Sequence, residues 1–168
     1  MNPLFKQAFA SATLFALLIG MAAADEVVRP APDFKLSGGK SLKSFKGQPV
    51  VLVIAPSPQS KAFRNEIRSL EKSYQAFAAR ETVFVAAFTQ SATGVIESNI
   101  PFATASNGAA VAASYGATEP ISVAVIGIDG NVDLATHKIA PAYKVRDAIL
   151  NNFQLQASER PENMGTAR

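Results

Sequence analysis

The stretch VVLVIAPSPQSKAF, residues 50–63, passes from a strand pattern to a helix pattern within a few residues. Its first six residues are continuously apolar, which is typical of a strand buried on both faces of a sheet. From Phe63 onward, apolar side chains recur at spacings of three and four and predict the buried stripe of a helix. Its members are Phe63, Ile67, Leu70, Tyr74 and Phe77. Strand and helix are joined by the loop PSPQS (56–60), where backbone N–H groups and the helix dipole favour negative charge, as at many active sites.

The remaining segments continue an alternation of strands and helices. Residues 34–42 predict a small hairpin, and residues 81–89 predict a second buried strand. An alanine-rich helix is predicted near residues 109–115, followed by a hairpin over residues 121–136 that turns at Asp129-Gly130. Pro141 can open a last helix, whose predicted inner face carries Val145, Ile149, Leu150 and Phe153. This order predicts an α/β fold in which parallel central strands have helices on both faces and a hairpin follows them.

The two ends of the chain differ in composition from its middle. Residues 1–24 combine Lys6, an apolar segment and the small triplet Ala22-Ala23-Ala24, and we interpret them as a secretory signal peptide. The alternative is an uncleaved anchor, which the short apolar segment disfavours. The sequence therefore predicts an exported and most simply periplasmic protein, with one domain at residues 25–153 and a polar tail at 154–168. No membrane association is expected after cleavage, since no other apolar run is long enough to span a bilayer.

Composition excludes several classes of function. The chain of 168 residues has no cysteine, so thiol catalysis, disulfide exchange and thiolate metal ligation are impossible. Its formal net charge of +3 is small and scattered, which argues against nucleic acid as a partner. The single histidine, His137, has no supporting metal-ligand spacing, so we expect no metal and no cofactor.

Five sequence segments, in the right order and spacing, resemble the peroxiredoxin group of the thioredoxin fold. They are APDFKL (31–36), SFKGQPVVLVIAPS (44–57), RNEIRSLEKSYQAFA (64–78), NIPFATASNGAAVAASYGA (99–117) and VIGIDGNV (125–132). The resemblance covers about residues 31–153. It implies a thioredoxin-like three-layer α/β sandwich with a central mixed sheet.

The resemblance also implies where the reacting group would lie. Peroxiredoxins carry Pro-x-x-x-Thr/Ser-x-x-Cys at this loop, and without a gap Pro56 matches the proline, Ser60 the Thr/Ser and Phe63 the cysteine. Phenylalanine has no lone pair to attack with and cannot ionise. The family's arginine also has no clear counterpart in EPISVAV (119–125). Relatives of the thioredoxin type have a cis proline near Pro120, one residue out of register here, so cis and trans remain equally open.

Each candidate residue also has a simpler interpretation. Phe63 can be ordinary core packing at the start of its stripe, and Ser60 is better placed as a helix cap than as a nucleophile. His137 is expected to face solvent at the end of the hairpin, and nothing in the sequence brings it to Ser60. The carboxylates, Glu66 among them, form no pair suited to acid–base catalysis.

We therefore expect a non-catalytic domain that binds a protein partner or a small ligand at the former active-site loop. The residues predicted to form that surface are Pro56, Pro58, Ala62 and Pro120, with Phe63 if it is exposed. Two alternatives remain open. One is a non-thiol enzyme that uses the same cleft, and the other is a chain that would be labelled a thiol peroxidase, an antioxidant enzyme, by homology alone.

Overall fold

The computed structural model describes residues 29–118 and 120–159, with side chains as far as residue 151. The predicted signal peptide, Glu119 and residues 160–168 lie outside the described residues. A five-stranded sheet forms the middle layer, in the order β3-β2-β1-β4-β5. The strands are β1 Val50–Ala55, β2 Val83–Phe88, β3 Phe102–Thr104, β4 Ser122–Ile126 and β5 Val132–Thr136. Strands β1, β2 and β3 are parallel, whereas β4 is antiparallel to both β1 and β5.

Helices cover both faces of this mixed sheet. They are α1 Lys61–Glu71, α2 Tyr74–Ala78, α3 Gly108–Ser114 and α4 Ala142–Glu159, preceded by a 3-10 turn at Leu42–Phe45. Buried side chains of α1, α2 and α4 share one core with one face of the sheet, and α3 packs on the other face. The predicted three-layer α/β sandwich with a mixed sheet is confirmed.

Strand β1 contributes to both cores because its side chains alternate between the two faces of the sheet. Val51, Val53 and Ala55 face the core of α1 and α4, which we call the first core. Val50, Leu52 and Ile54 face the core of α3, which we call the second core. All six residues are buried, as the continuous apolar run predicts.

Three elements differ from the sequence prediction. The stripe at residues 63–77 belongs to two helices, because α1 ends at Glu71 and the Ser73 N–H bonds the Leu70 carbonyl in a tight turn. The short strand β3, which pairs with β2, was not predicted from the sequence. Helix α4 continues to Glu159, six residues beyond the predicted end of the domain, because QLQASE is composed mostly of good helix formers.

Candidate functional site

The loop of residues 56–60 leaves the carboxyl end of β1 and meets the chain that leaves β2. The Thr89 N–H donates to the Ala55 carbonyl at 3.0 Å, and the N–H groups of Gln90 and Ser91 both donate to the Pro56 carbonyl. Two parallel strands thus end together, and their continuing chains are joined by backbone hydrogen bonds. Ligand sites of open α/β sheets lie at such strand ends.

Phe63 points away from this loop into the first core. Its side chain is 0% exposed, and its ring lies 5.0 Å from that of Phe88 and 5.9 Å from that of Phe102 between centroids. The Ser60 hydroxyl accepts a hydrogen bond from the Phe63 N–H at 3.3 Å, which confirms the helix-cap interpretation of Ser60. The position that carries the cysteine in the peroxiredoxin motif is therefore filled by a buried ring and exposes nothing to a substrate.

The predicted binding residues are not equally accessible. Pro120 is exposed, Pro56 and Ala62 are half-buried, and Pro58 is buried, so Pro58 presents no surface to a partner. Pro56 and Pro120 come together in one small cleft, which Thr89 and Thr118 also line; Pro58 and Ala62 do not line it. Its volume is about 20 Å³, enough for about one water-sized group.

One polar atom of the cleft is unsatisfied. The Thr89 hydroxyl is buried and has no hydrogen-bond partner among the described residues. A buried hydroxyl without a partner is costly unless a water or a ligand atom satisfies it. The lining of the cleft therefore combines apolar side chains, Pro56 and Pro120 among them, with the hydroxyl of Thr89, which has no partner among the described residues.

The structure places His137 beside a serine, but it is Ser122. Nδ1 of His137, the residue that follows β5, lies 3.0 Å from Oγ of Ser122, the first residue of the neighbouring strand β4. Oγ of Ser122 also accepts from the Thr118 N–H at 3.0 Å and lies 3.1 Å from the Thr118 carbonyl. Cross-strand pairing of β4 with β5 could have indicated this contact, had the register of the hairpin been followed one residue beyond Thr136.

Ser122 is poorly placed to be a nucleophile. It is 5% exposed, and its hydroxyl is already engaged by the backbone of Thr118. The arrangement fixes the loop that carries Thr118 and Pro120, which is the wall of the cleft.

Glu66 is the titratable group that the sequence analysis undervalued. It lies 0% exposed on the buried face of α1, and its Oε2 accepts the Ala140 N–H at 2.8 Å. Burial raises the pKa of the Glu66 carboxyl to about 7, and the hydrogen bond from Ala140 offsets part of that rise. Its position three residues after Phe63, on the face of the apolar stripe, is the feature that could have revealed its burial.

A larger groove lies beside α3, on the face of the sheet that carries the second core. Its volume is about 310 Å³, and it is lined by residues 33–35 and by α3, with Phe34 and Val111 as its largest apolar side chains. Its polar side chains are used internally: Asn107 caps the Ala110 N–H and Ser106 donates to the Lys35 carbonyl. Beside it, burial and then the charge of Asp33 raise the pKa of Tyr115 above its usual range, while the Tyr115 hydroxyl donates to the Pro32 carbonyl.

Within the described ranges, no group of three or more histidine, aspartate or glutamate side chains is arranged to hold a metal ion. Among the same residues, none of the helices has the length and apolarity needed to cross a bilayer.

Solved structures of thiol proteins share this fold. Plasmodium yoelii thioredoxin peroxidase I is 22% identical, with 83% of this chain and 99% of that chain covered at a TM-score of 0.58. The mitochondrial 2-Cys peroxiredoxin from Plasmodium falciparum is 16% identical, and the match covers 79% of this chain and 96% of that chain at a TM-score of 0.59. The thioredoxin domain of a thiol-disulfide oxidoreductase from Bacteroides vulgatus is 18% identical, and the match covers 74% of this chain and 94% of that chain at a TM-score of 0.55.

Sequence comparison gives a family but no individual relative. No curated protein matches the chain. The model of the AhpC/TSA family matches residues 27–150, which is most of the chain and includes the loop, the cleft and both cores. Although it has no cysteine, this chain belongs to the AhpC/TSA family.

Proposed function

We propose that this chain is a non-catalytic binding domain that uses the former active-site region of its fold to hold a segment of a partner protein. The observation that carries the proposal is the contrast between two neighbouring positions. Phe63, at the position of the motif's cysteine, is buried, whereas Pro56, Thr118 and Pro120 still line an open cleft at the ends of β1 and β2. In this proposal the site has lost the reactive thiol of its family and keeps the cleft as a surface on which a partner binds.

The size of the cleft favours a protein segment over a small ligand. Pockets that enclose small molecules typically measure about 300–1,000 Å³, whereas this cleft measures about 20 Å³. An extended chain can lie across the two prolines and place one hydroxyl or carbonyl against the Thr89 hydroxyl. A small ligand held by the same groups remains the less favoured form of the proposal.

The domain acts, in this proposal, after export to the periplasm. The support is the pattern of residues 1–24, with cleavage after Ala24 and a mature chain that begins at Asp25. N-terminal sequencing of the protein recovered from the exported fraction of its host tests this. A sequence beginning at or near Asp25 is expected, and an intact Met1 in the membrane fraction would show an anchor instead.

Affinity capture with two matched variants tests the binding role. Thr118→Lys places a charge in the cleft, and Ala109→Lys places the same charge on an exposed position of α3. We expect a protein from the exported fraction to be captured by wild type and by Ala109→Lys and to be lost with Thr118→Lys. The captured protein is then purified, and its Kd is measured against all three chains by calorimetry. Equal affinity for the three chains would rule out the cleft as the binding surface.

A non-thiol enzyme is the second candidate, and the contact between Ser122 and His137 is the observation that favours it. The burial of Ser122 counts against it. A screen of activated esters with wild type and with His137→Gln distinguishes the two: turnover that depends on His137 would support the enzyme, and no turnover is expected here.

A further inference from the structure

Residues 137–141, which we call the clamp loop, connect β5 to α4 and are held at their last turn by α1. The Ala140 N–H donates to Oε2 of Glu66 at 2.8 Å, and the Ser69 hydroxyl lies 3.5 Å from the Ala140 carbonyl. Both polar groups of the Ala140 backbone are therefore directed at one face of α1. The side chain of Ala140 is also buried in the first core.

The first residue of the clamp loop is tied to the wall of the cleft. His137 contacts the Ser122 hydroxyl, and that hydroxyl lies within hydrogen-bond distance of both the N–H and the carbonyl of Thr118. Thr118 lines the cleft together with Pro120. Hydrogen bonds therefore link Glu66 to Ala140 and link His137 through Ser122 to Thr118. The backbone of residues 137–140 joins these two links into one series.

We propose that the clamp loop couples the protonation of Glu66 to the position of Thr118 in the wall of the cleft. The cleft then has two forms, one with Ala140 held by α1 and one with Ala140 released. This inference does not rest on the proposed binding function, because the coupling can be observed without any ligand.

The surroundings of Glu66 explain why its protonation would move the loop. Its second oxygen, Oε1, is buried and has no hydrogen-bond partner among the described residues. The ionised form therefore has one donor where a buried carboxylate needs several. With a pKa of about 7, the carboxyl changes charge at neutral pH.

Among the residues that the structure describes, no charged neighbour compensates the ionised form of Glu66. The two causes of the shifted pKa are burial and the Ala140 N–H, and no charged side chain contributes. Strands β1 and β4 carry no charged residue, and Glu71 of α1 is turned toward Ser98 and Asn99. The other charged or titratable side chains on α1, the clamp loop and α4 as far as residue 151 are exposed: Lys61, Arg64, Arg68, His137, Lys138, Tyr143, Lys144, Arg146 and Asp147.

The direction of the switch follows from this burial. Below the pKa, neutral Glu66 stays inside and accepts the Ala140 N–H, so the clamp loop is held. Above the pKa, the ionised carboxylate is the stronger acceptor for the Ala140 N–H, but this single bond offsets only part of the cost of burying the charge. A conformation in which the carboxylate reaches water and Ala140 is released therefore becomes more favourable. Since only two residues separate Ala140 from His137, release of Ala140 lets His137 shift against the Ser122 hydroxyl and so loosens the contact that positions Thr118.

A pH titration of the ¹⁵N-labelled full chain, followed by NMR between about pH 5 and pH 9, tests the coupling. The amide signal of Ala140 reports on Glu66 directly, and that of Thr118 reports on the far end of the series. We expect both signals to move with one common midpoint near pH 7. A midpoint shared by these two amides is a result that a merely structural Glu66 would not give.

Three variants separate the coupling from its components. Glu66→Gln should abolish the common transition at both amides. His137→Gln removes the imidazole that contacts Ser122 and should leave the transition at Ala140 in place. Ser122→Ala should leave Ala140 titrating and uncouple Thr118. A Thr118 signal that stays fixed in wild type while Ala140 titrates, or that still titrates in Glu66→Gln with the wild-type midpoint, would overturn the proposal.

Discussion

At the scale of single residues, the site differs from its family motif by one buried ring. Phe63 packs edge-on against Phe88 and inclined against Phe102, so its neighbours are shaped around an aromatic side chain. Aromatic pairs of this geometry stabilise a core beyond the area that they bury. Restoring the family's residue type at this position would therefore not restore its chemistry.

Phe63→Cys tests that statement. The smaller side chain leaves a cavity among the rings and should lower the free energy of unfolding by about 3 kcal/mol. The thiol would be enclosed by apolar groups, which raise a thiol pKa and suppress the thiolate that attacks peroxide. We expect the variant and the wild type to consume peroxide at the same rate, and we expect that rate to equal that of buffer alone. Peroxide consumption above that level by folded Phe63→Cys would contradict the burial of this position.

Glu66 makes a second residue-scale prediction, on stability against pH. Its pKa is about 7 in the fold and 4.5 in the unfolded chain, so the folded state binds the proton more tightly. The contribution of this proton to the stability of the fold is fully present below pH 4.5 and is lost as the pH rises to about 7 and slightly above. The loss amounts to about 3 kcal/mol, and Glu66→Gln should remove this slope.

Urea unfolding of wild type and Glu66→Gln at about pH 5 and about pH 8 provides the measurement. Relative to wild type, the free energy of unfolding of Glu66→Gln should be higher at about pH 8 than at about pH 5. Parallel pH profiles for the two proteins would mean that Glu66 ionises normally in the fold.

Contacts between individual residues were the feature least predictable from the sequence. Ser60 as a cap follows from local sequence alone, because the capping bond spans three residues. The contact of Ser122 with His137 spans 15 residues and that of Glu66 with Ala140 spans 74. Such contacts depend on strand register and on where α1 meets the clamp loop, which single-sequence patterns do not specify.

At the scale of elements, the first residue of α3 lies in close contact with the backbone of β2. Gly108, the first residue of α3, lies against the backbone of Phe88: a Cβ placed there would be 2.0 Å from the Phe88 carbonyl oxygen and 2.4 Å from its carbonyl carbon and its nitrogen. A glycine is required here by space, because backbone atoms cannot rotate out of the way as a side chain can.

Gly108→Ala should therefore push α3 away from the sheet and open the second core. We expect the free energy of unfolding to fall by at least about 2 kcal/mol. Gly38→Ala is the matched control, since a Cβ at Gly38 has no heavy atom within 4 Å. Thermal unfolding followed by circular dichroism compares the variants. Equal melting temperatures for both would show that the helix has room to shift.

Helices and strands with a long sequence pattern were predicted, whereas the short strand β3 and the break between α1 and α2 were missed. Strand β1, the hairpin of β4 and β5, and α3 follow from continuous apolar runs, an Asp-Gly turn and an alanine-rich segment closed by Gly116, whose φ is 59°. The three-residue β3 was missed because FAT carries no alternation to detect. The break after α1 was missed because the apolar stripe continues across it into α2.

At the scale of the whole molecule, two cores share one sheet. Strand β1 lies at the centre of the sheet and sends neighbouring residues into opposite layers, so neither core can lose its packing without disturbing the strand that supports the other. This arrangement is general to three-layer sandwiches. It predicts cooperative unfolding, in which no layer separates first.

Substitutions at adjacent residues of β1 test that cooperativity. Leu52→Ala opens the second core and Val53→Ala the first. Each should move a single transition, with a loss of about 2–4 kcal/mol for the leucine and less for the valine. Far-ultraviolet circular dichroism and tyrosine fluorescence should give coincident curves for both variants. Two separated transitions in either variant would show that the layers unfold independently.

The aromatic packing at Phe63 has a consequence for the chemical durability of the protein. The chain has no cysteine, and its three methionines are Met1, Met21 and Met164, so no sulfur atom occurs from residue 22 to residue 163. Oxidants that convert thiols to sulfinic acids and thioethers to sulfoxides have no target in that region. The part of the fold from β1 to α4 therefore offers peroxide no thiol and no thioether to oxidise.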